Sequence, residues 1–162
     1  MNKQHDDGKY TIITLNLIQN DAYVALSMTA KAALPIIRLE WRGARNNNNG
    51  KIRLSVRQLA TVLGCTANTA AKALQDLQRK GFIVVKEAAK LGLSGSAKGH
   101  IYELTELPIV GQANGPTKSG ELKGRKLYKD WRVGKDYPIA NVNINNPSGK
   151  NGRLQTKPHL KK

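Results

Sequence analysis

The 162-residue chain has little of what disulfide-rich, metal-binding and membrane proteins need. It holds one cysteine, three scattered histidines and few aromatic residues, which make up 5% of the chain. A single cysteine excludes an intramolecular disulfide framework and a cysteine-rich zinc site. No apolar run approaches the roughly 20 residues of a membrane span, and the first ten residues, MNKQHDDGKY, lack the apolar segment of a signal peptide. We therefore expect a soluble cytoplasmic protein of bacterial type, without cofactor or metal.

Acidic residues are also too sparse for the usual hydrolytic chemistry. Only Asp6 and Asp7 stand next to each other among the 11 Asp and Glu residues. A hydrolase or nuclease requires clustered carboxylates, metal ligands or a nucleophile beside a base, and the phosphate-binding pattern GxxxxGK[ST] does not occur. We expect no enzymatic activity. Cys65 is interpreted as a buried structural thiol, with a redox sensor as the alternative.

Basic residues are what the chain has in excess. The 27 Lys and Arg residues give a formal net charge of +16, which favours a polyanionic partner, nucleic acid first and an anionic membrane second. Residues 1–110 carry +7 of this charge and residues 111–162 carry +9. Glycines and prolines interrupt the second part, which we expect to be a mostly extended or disordered basic tail. A short ordered piece is expected around Leu127–Val133, whose Tyr128 and Trp131 either pack back onto the domain or stack on a base or partner.

Three short elements are predicted before residue 50. The run Thr11–Ile18 is interpreted as a strand or an extended approach, and Asn20 caps a short helix that extends to Leu26. Ser27 or Thr29 caps a longer helix, which either kinks at Pro35 or begins just before it. The apolar stripe of this longer helix comprises Ala30, Ala33, Leu34, Ile37 and Trp41.

The segment after residue 50 predicts a strand followed by two closely spaced helices. KIRLS, residues 51–55, gives the strand, and Ser55 then caps a helix that Gly64 ends. Thr66 caps the next helix, which runs to Gly81. Two helices joined by a turn of three or four residues form a helix-turn-helix.

The second of these helices has two chemically different faces. At 100° per residue, one arc is apolar and the opposite arc carries amides and cations. The apolar arc comprises Ala70, Ala73, Leu74 and Leu77. The outward arc comprises Asn68, Lys72, Gln75 and Arg79. Amides suit adenine, and Lys or Arg suits guanine or phosphate, although an ordinary solvated helix face has the same pattern.

The first turn of that helix is small and polar, and it comprises Thr66, Ala67, Asn68 and Thr69. Small residues let the backbone approach base edges, and the free N–H groups of a first turn favour phosphate. Ser55 and Arg57, at the start of the preceding helix, are further candidate DNA contacts.

A hairpin is predicted directly after the helix pair. The runs Phe82–Leu91 and His100–Leu107 have strand character, and a loop rich in glycine and serine joins them. Such a hairpin can lie on the DNA backbone as a wing, although any glycine-rich hairpin looks similar. The candidate phosphate or minor-groove contacts in it are Lys90, Ser94, Ser96, Lys98 and His100, the last expected at the surface.

The run LSVRQLATVLGCTANTAAKALQDLQRKGFIVVKE resembles the winged helix-turn-helix domains of bacterial regulators. In these domains a helix, the pattern LG-x-[ST], and a helix ending in L-x-x-x-G-[FYL]-[IV] recur. The resemblance covers about residues 20–108 and is similar in detail to short versions carried by plasmids, prophages and conjugative regions. It implies an α+β fold with a three-helix core, a short strand and a β-hairpin wing. The expected organisation is an N-terminal extension at 1–19, the winged domain at 20–110 and the basic tail at 111–162.

The resemblance also implies a function. It indicates a sequence-specific regulator of a mobile element that binds double-stranded DNA, a repressor by preference, associated with the nucleoid, with helix 66–80 in the major groove. The alternatives are a replication initiator or accessory factor, an architectural DNA-coating protein, and a protein-interaction module. Proteins of this family often carry long polar or basic residues at the positions of Ala67 and Ala71. The resemblance therefore shifts the expected base readout to Thr66, Asn68, Thr69 and Lys72. No small-molecule effector is indicated. The sequence does not decide between a monomer and a homodimer, since Tyr10–Leu26 offers only a short apolar surface for dimerisation.

Overall fold

The computed structural model describes residues 8–88, 90–91, 97–109 and 124–140. Within these residues the protein is mixed α+β, with five α-helices, a three-stranded antiparallel sheet and a two-stranded ladder. The α+β class is therefore confirmed. No helix in the described part of the chain is long and apolar enough to cross a membrane.

The elements up to residue 104 are joined by short connections, except for the twelve residues 40–51 between the third helix and the first strand. The helices are α1 (Leu15–Ile18), α2 (Asp21–Val24), α3 (Met28–Leu39), α4 (Val56–Leu63) and α5 (Ala67–Arg79). The strands are β1 (Ile52–Arg53), β2 (Ile83–Glu87), β3 (Lys90–Leu91), β4 (Ala97–Lys98) and β5 (Ile101–Leu104), and a 3-10 helix follows at Leu127–Lys129.

The strand expected within residues 11–18 is partly wrong. Residues 15–18 form the single turn α1, which buries Leu17 and leaves its apolar neighbours exposed. The two helix caps expected next are confirmed. The Oδ1 of Asn20 accepts the N–H of Ala22 at 3.0 Å, and the Oγ of Ser27 accepts the N–H of Ala30 at 3.2 Å.

Pro35 lies inside α3, which begins seven residues earlier at Met28, so a start just before Pro35 is wrong. A proline inside a helix removes one backbone donor and costs stability. Burial of Ala33, Leu34 and Ile37 offsets this cost, because α3 packs on α5 and α4 through that face. Three helices, α3, α4 and α5, thus form the helical layer of the core.

The sheet has the order β1-β5-β2, with β5 in the centre. Ile52 pairs with Tyr102, and Ile83 pairs with Leu104. Every residue of β5 is buried, so the central strand has no solvent face. The ladder of β3 and β4 lies within the connection from β2 to β5, as expected for a hairpin.

The expected packing of the two aromatic residues of the tail onto the domain is confirmed. Tyr128 and Trp131 are buried in the hydrophobic core. The Tyr128 ring stacks on Phe82 with centroids 5.0 Å apart, and the Nζ of Lys80 lies 5.6 Å from the centroid of Trp131. Residues 124–140 therefore belong to the packed unit, and residue 110 does not mark its end.

An ion pair between an exposed arginine and a buried glutamate fastens this segment to the sheet. Glu103 in β5 is fully buried, and both of its carboxylate oxygens accept hydrogen bonds from Arg125, at 2.8 and 2.6 Å. The Nζ of Lys86 lies 3.8 Å from the Oε2 of Glu103. A buried carboxylate needs such partners because desolvation without them is costly. The remaining residues of the expected tail, 111–123 and 141–162, lie outside the described residues.

Candidate nucleic-acid interface

Reciprocal hydrogen bonds fix the start of α4. The Oγ of Ser55 accepts the N–H of Gln58 at 3.1 Å, and the Oε1 of Gln58 accepts the N–H of Ser55 at 2.9 Å. This capping box sets the direction of the helix. Gly64 ends the helix in the left-handed conformation, with φ of 63°. The hydroxyl of Ser55, a candidate DNA contact, thus has a structural role.

The turn between α4 and α5 leads into an equally well-defined start of α5. The Oγ1 of Thr66 accepts the N–H of Thr69 at 3.2 Å and lies 2.9 Å from the Oγ1 of Thr69. The first backbone hydrogen bond of the helix joins Ala70 to the carbonyl of Thr66. The N–H groups of Ala67 and Asn68 precede that bond and point out of the helix N-terminus, where they suit a phosphate.

The two faces of α5 are divided as expected at its start and less sharply at its end. The predicted apolar arc, Ala70, Ala73, Leu74 and Leu77, is buried. Asn68 and Lys72 are exposed, whereas Gln75 and Arg79 are half-buried. Ala71 is buried, so its position is a packing position in this protein.

The packed segment 124–140 explains the partial burial at the end of α5. The N–H of Tyr137 donates to the carbonyl of Arg79 at 2.8 Å, and the N–H of Ala140 donates to the Oε1 of Gln78 at 3.0 Å. The segment therefore lies against the C-terminal end of α5. The exposed part of α5 is its N-terminal half.

The one carboxylate on α5 is directed away from this exposed half. Asp76 accepts the N–H of Ser27, the N-cap of α3, at 2.8 Å and is paired with Lys80. Burial acts to raise the pKa of Asp76, but hydrogen bonds from Lys80 and Ser27 outweigh it and hold the pKa below its usual value. The negative charge thus joins α5 to α3 and does not oppose an anion near Asn68 and Lys72.

The hairpin candidates are only partly visible. The backbones of Lys90 and Lys98 pair with each other in the β3–β4 ladder. Their side chains, and the whole of Ser94 and Ser96, lie outside the described residues, so these four predictions remain predictions.

The expectation that His100 lies at the surface is wrong. Its side chain is 4% exposed, and burial lowers its pKa, which favours the neutral imidazole. The ring lies 6.0 Å from that of Tyr102. The reason is that His100 enters β5, the central strand, where both faces are covered. A buried neutral imidazole is not placed to contact a phosphate.

Arg57 on α4 is exposed, as a DNA contact requires.

Cys65 in the turn is half-buried, and its Sγ donates to the carbonyl of Thr66 at 3.5 Å. Among the described residues, no group of three or more His, Cys, Asp or Glu could hold a metal ion.

The sequence reasoning missed four exposed cations that the packed segment places at fixed positions: Lys126, Lys129, Arg132 and Lys135. Lys129 and Arg132 lie within the ordered piece predicted around Leu127–Val133, and Lys126 and Lys135 lie outside it, but none of the four was a candidate contact. The signal that could have placed them is the pair of aromatic residues between them, since Tyr128 and Trp131 bury their rings.

Neither a family model nor a curated protein nor a solved structure matches the chain.

Proposed function

We propose that the chain is a winged helix-turn-helix regulator that binds double-stranded DNA in a sequence-specific manner and represses transcription from a bacterial mobile element. The observation that carries the proposal is the start of α5. There a capped helix N-terminus, uncovered by any described element, presents Asn68 and Lys72 beside small residues. In this proposal α5 enters the major groove and the β3–β4 hairpin acts as the wing.

The dimensions and side chains of α5 support this placement. An α-helix with its side chains is about 10–12 Å across, and the major groove is about 12 Å wide. Asn68 can form two hydrogen bonds to adenine, and Lys72 can reach guanine or a phosphate. Thr66 and Thr69 are held by the cap, so their contribution is to fix the helix start, with Thr66 exposed beside the groove.

The charge distribution supports the same orientation. The one carboxylate of α5 is engaged with α3, as described above, and Arg57 adds an exposed cation on α4. Phosphate contacts of this kind position a protein on DNA, whereas base contacts give the sequence preference. Specificity is therefore assigned to Asn68 and Lys72, and general affinity to Arg57 and the basic residues elsewhere.

The test replaces Asn68 and Lys72 singly by Ala and measures binding to a selected duplex and to a random duplex. Loss of a base contact is expected to cost about 1–3 kcal/mol on the selected duplex and little on the random one. Arg42→Ala is the matched control, because Arg42 is exposed in the loop between α3 and β1. Equal losses on both duplexes would contradict sequence-specific readout and favour an architectural DNA-coating protein.

A replication initiator would use the same helix, so binding strength does not separate it from a repressor. The genomic positions of the DNA sites that the protein binds separate the two functions. Sites mapped across the genome are expected to overlap promoters. Repeated sites within an origin of replication would contradict the repressor and support the initiator.

A further inference from the structure

Exposed apolar side chains are concentrated near the N-terminus of the described chain. Of the eight large hydrophobic residues that are exposed in the described part of the chain, six lie between residues 10 and 28, and the other two are Val62 and Val133. The six, called here the N-terminal apolar patch, are Tyr10, Ile12, Leu15, Ile18, Val24 and Met28. The largest apolar patch on a typical monomer covers roughly 300–600 Å² and is often functional, so this concentration of exposed apolar side chains within one short stretch indicates an interaction surface.

The chain that carries the patch is fastened to the domain. The guanidinium of Arg38, itself buried, donates to the Oγ1 of Thr11 and to the carbonyl of Ile12, and it pairs with Glu106. Leu17 and Ala22 are buried and anchor α1 and α2. The exposed side chains therefore project from a backbone held in place, with Leu15 and Ile18 one turn apart on α1.

The stretch of chain that carries the patch has no net charge of its own in a strongly basic protein, and the nearest cation given by the structure is Lys31, whose Nζ donates to the carbonyl of Val24 at 3.1 Å. Between residues 8 and 28 the charged residues are Lys9 and Asp21, so the net charge of this stretch is zero, whereas the whole chain carries +16. Two copies of such a chain repel each other through almost any other surface. An acidic protein or an anionic lipid surface would instead be drawn to the cationic faces.

We infer that the N-terminal apolar patch is the contact between two copies of this chain, which form a dimer in solution. Each of these side chains exposes on the order of 100 Å² of apolar surface, so the six together offer roughly 600 Å². One partner in a standard interface contributes about 800 Å², including polar surface at the rim. The patch thus supplies the apolar centre of an interface of ordinary size.

The dimer goes beyond the proposed function and does not depend on it. If the two copies are related by a twofold axis, each presents its own α5, and the DNA site has two half-sites of opposite orientation. The oligomeric state can be measured without DNA, so failure of the dimer and failure of DNA binding are separate outcomes.

The experiment is sedimentation equilibrium of the full chain without DNA, over about a hundredfold range of concentration. The wild type is expected to approach twice its mass of 17.8 kDa. Leu15→Glu and Ile18→Glu are expected to shift the species to the monomer, with unchanged circular dichroism as evidence of folding. Val62→Glu is the matched control, because Val62 on α4 is as exposed as Leu15, 63% against 65%, but lies outside the patch.

Salt gives a second readout. Screening of the repulsion between two basic copies should strengthen the dimer as salt is raised, whereas DNA binding weakens. A monomeric wild type would overturn the inference and assign the patch to a different partner. The inference would also be overturned if Val62→Glu disrupted the dimer while Leu15→Glu and Ile18→Glu left it intact.

Discussion

Single residues decide how firmly α5 is held, and Asp76 is the clearest case. Its carboxylate accepts the N–H of Ser27 at the start of α3 and pairs with Lys80 at the end of α5. Asp76→Asn keeps an oxygen acceptor but loses the charge, so we expect a loss of about 1 kcal/mol in the free energy of unfolding at neutral pH. Urea denaturation of both proteins measures this loss, and Asp130→Asn, at an exposed position, is the matched control.

The same substitution has a pH dependence of known sign. Because the pKa of Asp76 is lowered in the folded protein, its carboxylate stabilises the fold above the unfolded pKa, near 3.8, and this contribution is lost as the pH falls through the folded value. The stability difference between wild type and Asp76→Asn should therefore be constant at neutral pH and shrink below about pH 4. A difference that grows on acidification would contradict the assigned role.

Residue by residue, the sequence was most informative where a local rule applies. The caps Asn20, Ser27, Ser55 and Thr66 are all confirmed, because a cap depends on two or three neighbouring residues. His100 was misplaced because it leads into β5, and the strands that pair with β5 on its two sides, β1 and β2, are distant from each other in sequence. A polar residue beside a glycine-rich loop carries no local sign of such burial.

At the scale of elements, two glycines end α4 and α5 in similar ways but in different surroundings. Gly64 has φ of 63°, and a Cβ added there would meet nothing within 4 Å. Gly81 has φ of 75°, and its Cβ would lie 2.8 Å from the Cε2 of Tyr137 and 3.0 Å from the backbone of Leu127. The second glycine is thus required both by backbone conformation and by close packing of the C-terminal segment.

These surroundings predict unequal costs for the same substitution. Gly64→Ala should cost about 1 kcal/mol, the price of a left-handed residue with a side chain, and Gly81→Ala about 3 kcal/mol, because the backbone of Leu127 must also move. Chemical denaturation measures both. Tryptophan fluorescence should change in the native state only for Gly81→Ala, since Trp131 lies on the displaced segment. Equal costs would show that the segment yields without strain.

Elements were predictable from the sequence when their apolar period was long enough. The eight and thirteen residues of α4 and α5 show a clear helical stripe and glycine stops. The four residues of α1 are too few to show a helical stripe, because one turn of helix and a short strand bury the same number of side chains. Pro35 within α3 is a further case, in which tertiary packing on α5 overrides a local preference.

For the whole molecule, the structure changes how the basic tail should be divided. The composition of residues 111–162 predicted a mostly extended or disordered tail with one short ordered piece around Leu127–Val133, and Tyr128 and Trp131 of that piece lie in the core. The two aromatic residues predicted this piece, whereas the average composition did not show that the packed segment extends over residues 124–140. A truncation before residue 124 would remove core side chains and expose Phe82, whereas a truncation after Ala140 leaves the described fold intact.

The two truncations therefore test affinity and stability separately. Removal of residues 141–162 deletes five Lys and Arg residues and no acidic residue. If these cations contact phosphates in the proposed complex, the slope of log K against log salt should become less steep by up to about 4.5, at about 0.9 for each contact. The free energy of unfolding should not change, and preference for the selected duplex should persist because α5 is untouched.

Removal of residues 111–162 should instead lower the free energy of unfolding by several kcal/mol, since it deletes two buried aromatic side chains at about 3–5 kcal/mol each by analogy with truncation to Ala. Replacing the five cations of residues 141–162 by Gln in the full-length chain is the control for charge alone. An unchanged salt slope in that variant would show that these cations are not on DNA. Affinity would then come from the cations of the packed domain, including Arg57 and Lys72.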